Sequence, residues 1–141
     1  MNQSAETFLG LDQGIAPVDG ATGATNGAEI DMIEWAECAF ILNVGVISGT
    51  VDMKIQGTNT SGSGHADITG WAITQLAATA DGSVVGLRVR AAATAFRYLR
   101  AVVTITGGAA SFICVTNVPY GAVNTDATFG TWETAGNPSA S

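Results

Sequence analysis

The chain has 141 residues, of which 47 % are hydrophobic and only 12 % charged, with a formal net charge of −7. That length fits one domain and is enough to bury a working core without disulfides or a metal. The negative balance argues against nucleic-acid binding, which works by neutralising phosphates, and against adsorption to an anionic membrane.

No apolar run approaches the ~18–20 residues of a membrane helix. The start, "MNQSAETFLGLDQ", carries acids and no Lys or Arg, so it predicts no secretory signal. Cys38 and Cys114 form no metal motif and read as small buried hydrophobes rather than a disulfide. With so few charges, the polar surface must be built from Thr, Ser, Asn and Gly. Such a surface resists association poorly and suits a protein covered in an assembly.

Residues 1–28 show little hydrophobic period. "GIAPVDGATGATNGAE" is rich in Gly, Ala and Thr, and the segment reads as an extended arm with "FLGL" and "GIAPV" as anchors. From residue 30 the text is β. "CAFILNVGVI" (38–47) is a continuous apolar run, and "TVDMKIQGT" (50–58) alternates, with Val51, Met53 and Ile55 opposite Asp52, Lys54 and Gln56. The turn residues "ISGT" between them predict a hairpin. "NTSGSGHAD" (59–67) reads as a loop and "GWAITQLA" (70–77) as a short strand after it. "VVGLRVR" (84–90) alternates again beyond an Asp-Gly turn. "FRYLRAVVTIT" (96–106) sets Leu99, Ala101, Val103 and Ile105 on one face; "GGAAS" turns the chain, and "FICVTNV" (112–118) is expected beside it.

Short strands, turn residues and no long helix predict an all-β protein, an antiparallel sandwich or barrel. The domain spans 29–121, between the arm (1–28) and a partly irregular tail (122–141). The run 38–47 is apolar on both faces, with Phe40, Leu42, Val44 and Val46 on one and Ala39, Ile41 and Ile47 on the other. Leaving the second face wet forfeits on the order of several kcal/mol at ~25 cal/mol per Å². The arm or a neighbouring subunit must therefore cover it.

Catalytic constellations are scarce. The single histidine, His65, lies in a Gly/Ser loop and reads as surface; a hydrolase triad or a zinc site needs more. Asp31, Glu34 and Glu37 beside Trp35 form a conceivable glycosidase set, more simply a solvated corner. Trp35, Trp71 and Trp132 suit packing better than sugar stacking. The expectation is no enzyme, no cofactor and no metal. Charge is segregated instead: residues 1–37 hold seven acids and no base, while 87–100 hold Arg88, Arg90, Arg97 and Arg100 and no acid. Either these pair within one subunit or simply face water, or an acidic arm of another subunit or an acidic partner meets a basic strand edge, where the planar guanidinium pairs two-to-one with carboxylates.

"AEIDMIEWAECAFILNVGVISGTVDMKIQGT" followed by "FRYLRAVVTITGGAASFICV" resembles a group of small structural proteins of tailed bacteriophages. The matching features are Val44-Gly45-Val46-Ile47, Val51 through Gln56, and Arg97 through Thr104, and the likeness spans roughly residues 15–120. The resemblance implies a head-decoration, or cement, protein: a jelly-roll-like β-sandwich on the outer surface of the capsid that forms a homodimer or homotrimer and clamps neighbouring major capsid subunits. The implied partners are the major capsid protein and the chain itself, with no nucleic acid and no membrane. Candidate contact residues are Phe8, Leu9, Leu11 and Ile15 of the arm, and Arg88, Arg90, Arg97, Tyr98 and Arg100. The alternative is a carbohydrate- or host-surface-binding module of a head or tail fibre.

Overall fold

The structure is a computed structural model, and it describes residues 10–108 and 110–122. Ten strands follow in order: β1 (Asp12–Gly20), β2 (Gly23–Asn26), β3 (Ile30–Asp31), β4 (Trp35–Val44), β5 (Thr50–Thr58), β6 (Ala66–Ala72), β7 (Leu76–Ala77), β8 (Val84–Arg90), β9 (Tyr98–Thr106) and β10 (Ser111–Ala122). Single 3-10 turns at Met32–Glu34, Ala78–Ala80 and Ala91–Ala93 link some of them.

The strands form two sheets, β1-β10-β4-β8 and β2-β9-β5-β6, with β3 added to β9 and β7 to β5; all their pairings are antiparallel. The pairs are nested: β1 with β10, β2 with β9, β4 with β8, β5 with β6. Taking β2–β3 and β6–β7 as one strand each, the chain changes sheet at every link except β5–β6. This is a jelly roll, an eight-stranded sandwich of two Greek keys.

Strict alternation builds the core. Phe40 and Leu42 of β4, Val51, Met53 and Ile55 of β5, Leu99, Val103 and Ile105 of β9, and Ile113 and Val115 of β10 are buried between the sheets. Each such side chain contributes about 1.5–3 kcal/mol by leaving water.

Two expected hairpins are corrected. β4 does not pair with β5, nor β9 with β10; each link crosses between sheets. The glycines read as hairpin chemistry serve close passage instead. A side chain on Gly49 would meet the backbone of Thr106 and Gly107, and one on Gly108 the carbonyl of Ser48. The Ser111 hydroxyl accepts from the Ser48 N–H at 3.0 Å, joining the two crossings.

The arm is corrected too. Residues 12–20 are extended, but they form β1 at the edge of the first sheet, in register with β10 from Asp12↔Asn117 to Gly20↔Ser111. They lie beside β10 and not across the sheet's outer face. Alternation in the apolar run breaks after β4 ends: Val46 points to solvent (59 % exposed) and Ile47 turns into the core. The tail expected at 122–141 lies largely outside the described residues, although β10 runs to Ala122.

Candidate protein-contact site

The arginines come from one stretch of sequence but reach three places, because the chain passes from the first sheet to the second between Arg90 and Tyr98. β8 is a sheet edge, whereas β9 lies inside its sheet between β2 and β5. The β8 edge carries Arg88 and Arg90, and no single strand edge carries all four arginines.

Arg97 leads into β9 opposite β3, whose Asp31 pairs with Tyr98. Asp31 ends β3, and its Oδ1 caps the following 3-10 turn by accepting from the Ile33 N–H at 3.0 Å. The Arg97 fork closes on both oxygens, Nε to Oδ1 at 2.9 Å and Nη2 to Oδ2 at 2.8 Å. The guanidinium also sits 5.0 Å from the centre of the Tyr98 ring, within cation–π range. The hydrogen bonds from Arg97, helped by the Ile33 N–H and against some burial, hold the Asp31 carboxyl below its usual range.

This pair forms part of the wall of a cleft of about 520 Å³ at one end of the sandwich, lined also by Leu11, Asp12, Glu29, Ile33, Glu34, Trp35 and Pro119. Glu29 is turned to a structural task. Its carboxylate accepts from the Ser61 hydroxyl and the Gly62 N–H, each at 2.8 Å, and meets His65 Nε2 at 2.6 Å. His65, read as a surface residue, is thus largely buried, with its side chain 8 % exposed. Burial raises the Glu29 carboxyl, but the Gly62, Ser61 and His65 bonds together outweigh it, and the group lies below its ordinary value.

Arg100 points from β9 to the outer face of the second sheet. It donates twice to Gln56 Oε1, at 3.0 and 2.7 Å. Gln56 Nε2 donates to Asp67 at 2.8 Å, and Asp67 takes Lys54 at 2.8 Å. The register Arg100↔Gln56↔Asp67 makes this a ladder across β9, β5 and β6.

On the outer face of the first sheet, β10, β4 and β8 stand in ranks: Cys114–Asn43–Val84, Thr116–Ile41–Gly86, Val118–Ala39–Arg88 and Tyr120–Glu37–Arg90. Beyond the first rank Phe112 faces out beside Asp19. Arg90 Nε binds Glu37 at 2.8 Å. A hydrogen bond from the Tyr120 hydroxyl, then that from Arg90, with Arg88 nearby, depress the Glu37 carboxyl. The same face exposes Phe112 (53 %) and Val84 (64 %). These two escaped the sequence reading; their signal was phase, since Phe112 is even-numbered beside the inward Ile113 and Val115.

Of the candidate contact residues, Arg88 and Arg90 share one face, Leu11 and Arg97 share the cleft, with Tyr98 stacked on Arg97, and Arg100 stands on the other sheet. Ile15 is corrected: its side chain fills this molecule's own core. Phe8 and Leu9 lie outside the described residues. Cys38 and Cys114 are free thiols, and burial pushes Cys38 far above its ordinary pKa, so it stays a neutral hydrophobe.

No protein-family model and no curated protein matches the sequence. Among solved structures the fold is similar to the SPBc2 prophage-derived protein YomS, with 8 % identity, a TM-score of 0.49, and coverage of 80 % of this chain and 93 % of that one. It also bears a weaker likeness to a chain from a structure titled "Bacillus endospore appendages form a novel family of disulfide-linked pili", with 21 % identity, a TM-score of 0.37, and coverage of 86 % and 97 %. Both likenesses are too remote to carry a function.

Proposed function

We propose that this chain is a non-enzymatic structural protein of a tailed-phage virion, made in the host cytoplasm and bound to the outer surface of the capsid, where it clamps neighbouring major capsid subunits. The observation that carries this reading is how the polar groups are used. Arg90, Arg97 and Arg100, with Asp31 and Glu37, tie strands together, while apolar side chains stay exposed on one sheet face. An enzyme that protonates a leaving group keeps a carboxyl raised. Asp31 and Glu37 are depressed, which supports a role in architecture rather than acid catalysis.

The proposed partners are the major capsid protein and the chain itself, without nucleic acid or membrane. Described residues Gly10 and Ala122 both lie at Trp35, at one end of the sandwich and next to the cleft. A clamp of this kind works through number: once one contact on the shell is made, the next is effectively intramolecular.

The test is cosedimentation of the purified full chain with undecorated heads of its phage, before and after expansion. The chain should bind expanded heads and not the precursor. An Arg97→Ala/Arg100→Ala variant should keep its circular dichroism and bind expanded heads at least several-fold more weakly. Absence of binding to either head form refutes the reading.

A further inference from the structure

We propose that the outer face of the β1-β10-β4-β8 sheet is where two copies of this chain stack, about a two-fold axis that lies in the interface and runs across the strands. This deepens the self-association in the function proposed above and rests on that reading only there.

The face is built for a partner. The two ranks Cys114–Asn43–Val84 and Thr116–Ile41–Gly86 carry no charge. Phe112 and Val84 are more than half exposed, and Phe112 lines a 180 Å³ hollow with Val18, Asn43, Gly45 and Cys114. The opposite sheet is different: its outer face bears the Arg100–Gln56–Asp67–Lys54 ladder, which is at home in water.

Charge on the face identifies the partner. At one end stand Asp19, beside Phe112 on the β1 edge, and Asp81, just before β8, whose Oδ1 accepts from the Ile47 N–H at 2.7 Å. At the other stand Arg88 and Arg90; Arg90 is 69 % exposed, while the Glu37 beneath it is only 16 % exposed, so this end presents positive charge outward. The surface that complements such a face has an uncharged middle and the charged ends reversed. A second copy offers that when the axis crosses the strands, because this operation swaps the ends and lays β4 antiparallel on β4. Each strand then lies on its own counterpart, so Arg90 of each copy meets the Asp81 end of the other's β8, and Phe112 meets the Tyr120 end of its β10. An axis along the strands would oppose like charges. Closed two-fold pairing of a self-complementary patch is the commonest assembly of soluble chains.

Size agrees. Four strands ~4.8 Å apart and five ranks ~6.7 Å apart give a footprint of roughly 600 Å² per copy. The total of roughly 1,200 Å² reaches the lower end of specific interfaces.

Sedimentation velocity of the full chain tests this. The wild type should run as a dimer at micromolar concentration and dissociate more readily as salt rises. Phe112→Asp and Val84→Lys should each weaken the dimer at least tenfold with unchanged circular dichroism. In a Cys114→Ser background, Thr116→Cys should oxidise to a covalent dimer, while Thr104→Cys on the other sheet should not. A wild type that stays monomeric at hundreds of micromolar overturns the proposal. So does a dimer indifferent to both Phe112→Asp and Val84→Lys, or cross-linking at Thr104 instead of Thr116. Head binding is scored separately: a monomer that still binds heads removes the stacked pair and leaves the clamp, and a dimer that ignores heads does the reverse.

Discussion

Gly108 shows how one missing side chain decides a crossing. Its φ is +69°, and a β-carbon there would run into the carbonyl of Ser48. Gly107, next to it, has φ +71° but open space where its side chain would stand. The pair separates two costs. Gly107→Ala should lose only the left-handed backbone penalty, about 1–2 kcal/mol. Gly108→Ala should lose that and the close passage as well, so its urea midpoint should fall clearly further. Equal losses would show that the two links do not pass in contact. Glu29 gives a second test at this scale. Its folded pKa lies below the ordinary 4.5, so its contribution is present above that value and is lost as pH falls through the folded pKa. Asp31, Glu37 and Asp67 are depressed too and act in the same direction. Urea stability should therefore be steady above about pH 5 and decline in acid. Glu29→Gln should be less stable at neutral pH and should lose less on acidification; an unchanged acid slope would mean that the carboxylate does not hold the 61–65 loop.

At the scale of elements, the strands were legible where alternation was clean. β5 and β8 fall on their expected limits, 50–58 and 84–90, because Val51, Met53 and Ile55, or Leu87 and Val89, leave only one phase. β4 runs three residues earlier than the apolar text suggested: Cys38 begins the buried phase of Phe40 and Leu42, and Trp35, outside that phase, is buried at the strand's start. The second short strand was misplaced: β6 covers 66–72 and tolerates Gly70 at φ +92° inside it, and β7 is a separate two-residue piece. Which strand pairs with which was not legible. Turn chemistry is local, whereas sheet membership depends on partners dozens of residues away, as β10 finding β4 shows. The same limit explains the site. Four arginines within 88–100 look like a patch until the chain changes sheet between Arg90 and Tyr98. The acids they answer were visible, since Asp31 and Glu37 both belong to the basic-free first 37 residues; that they pair with Arg97 and Arg90 needed the fold.

At the scale of the whole molecule, the described chain enters and leaves at one pole. Gly10 donates to Pro119, and β1 then runs antiparallel to β10 from Asp12↔Asn117 to Gly20↔Ser111. Tension applied between the two ends would therefore strip β1 from β10 rung by rung, like a zip, loading one hydrogen-bonded pair at a time. Pulling between residue 10 and residue 108 would instead load several rungs of the sheets together. Force spectroscopy should find the first direction the weaker by a wide margin, and equal forces would contradict this layout. Mechanically, then, the molecule is a poor tether and a better rivet: it bears strain through its broad flanks, not through its ends.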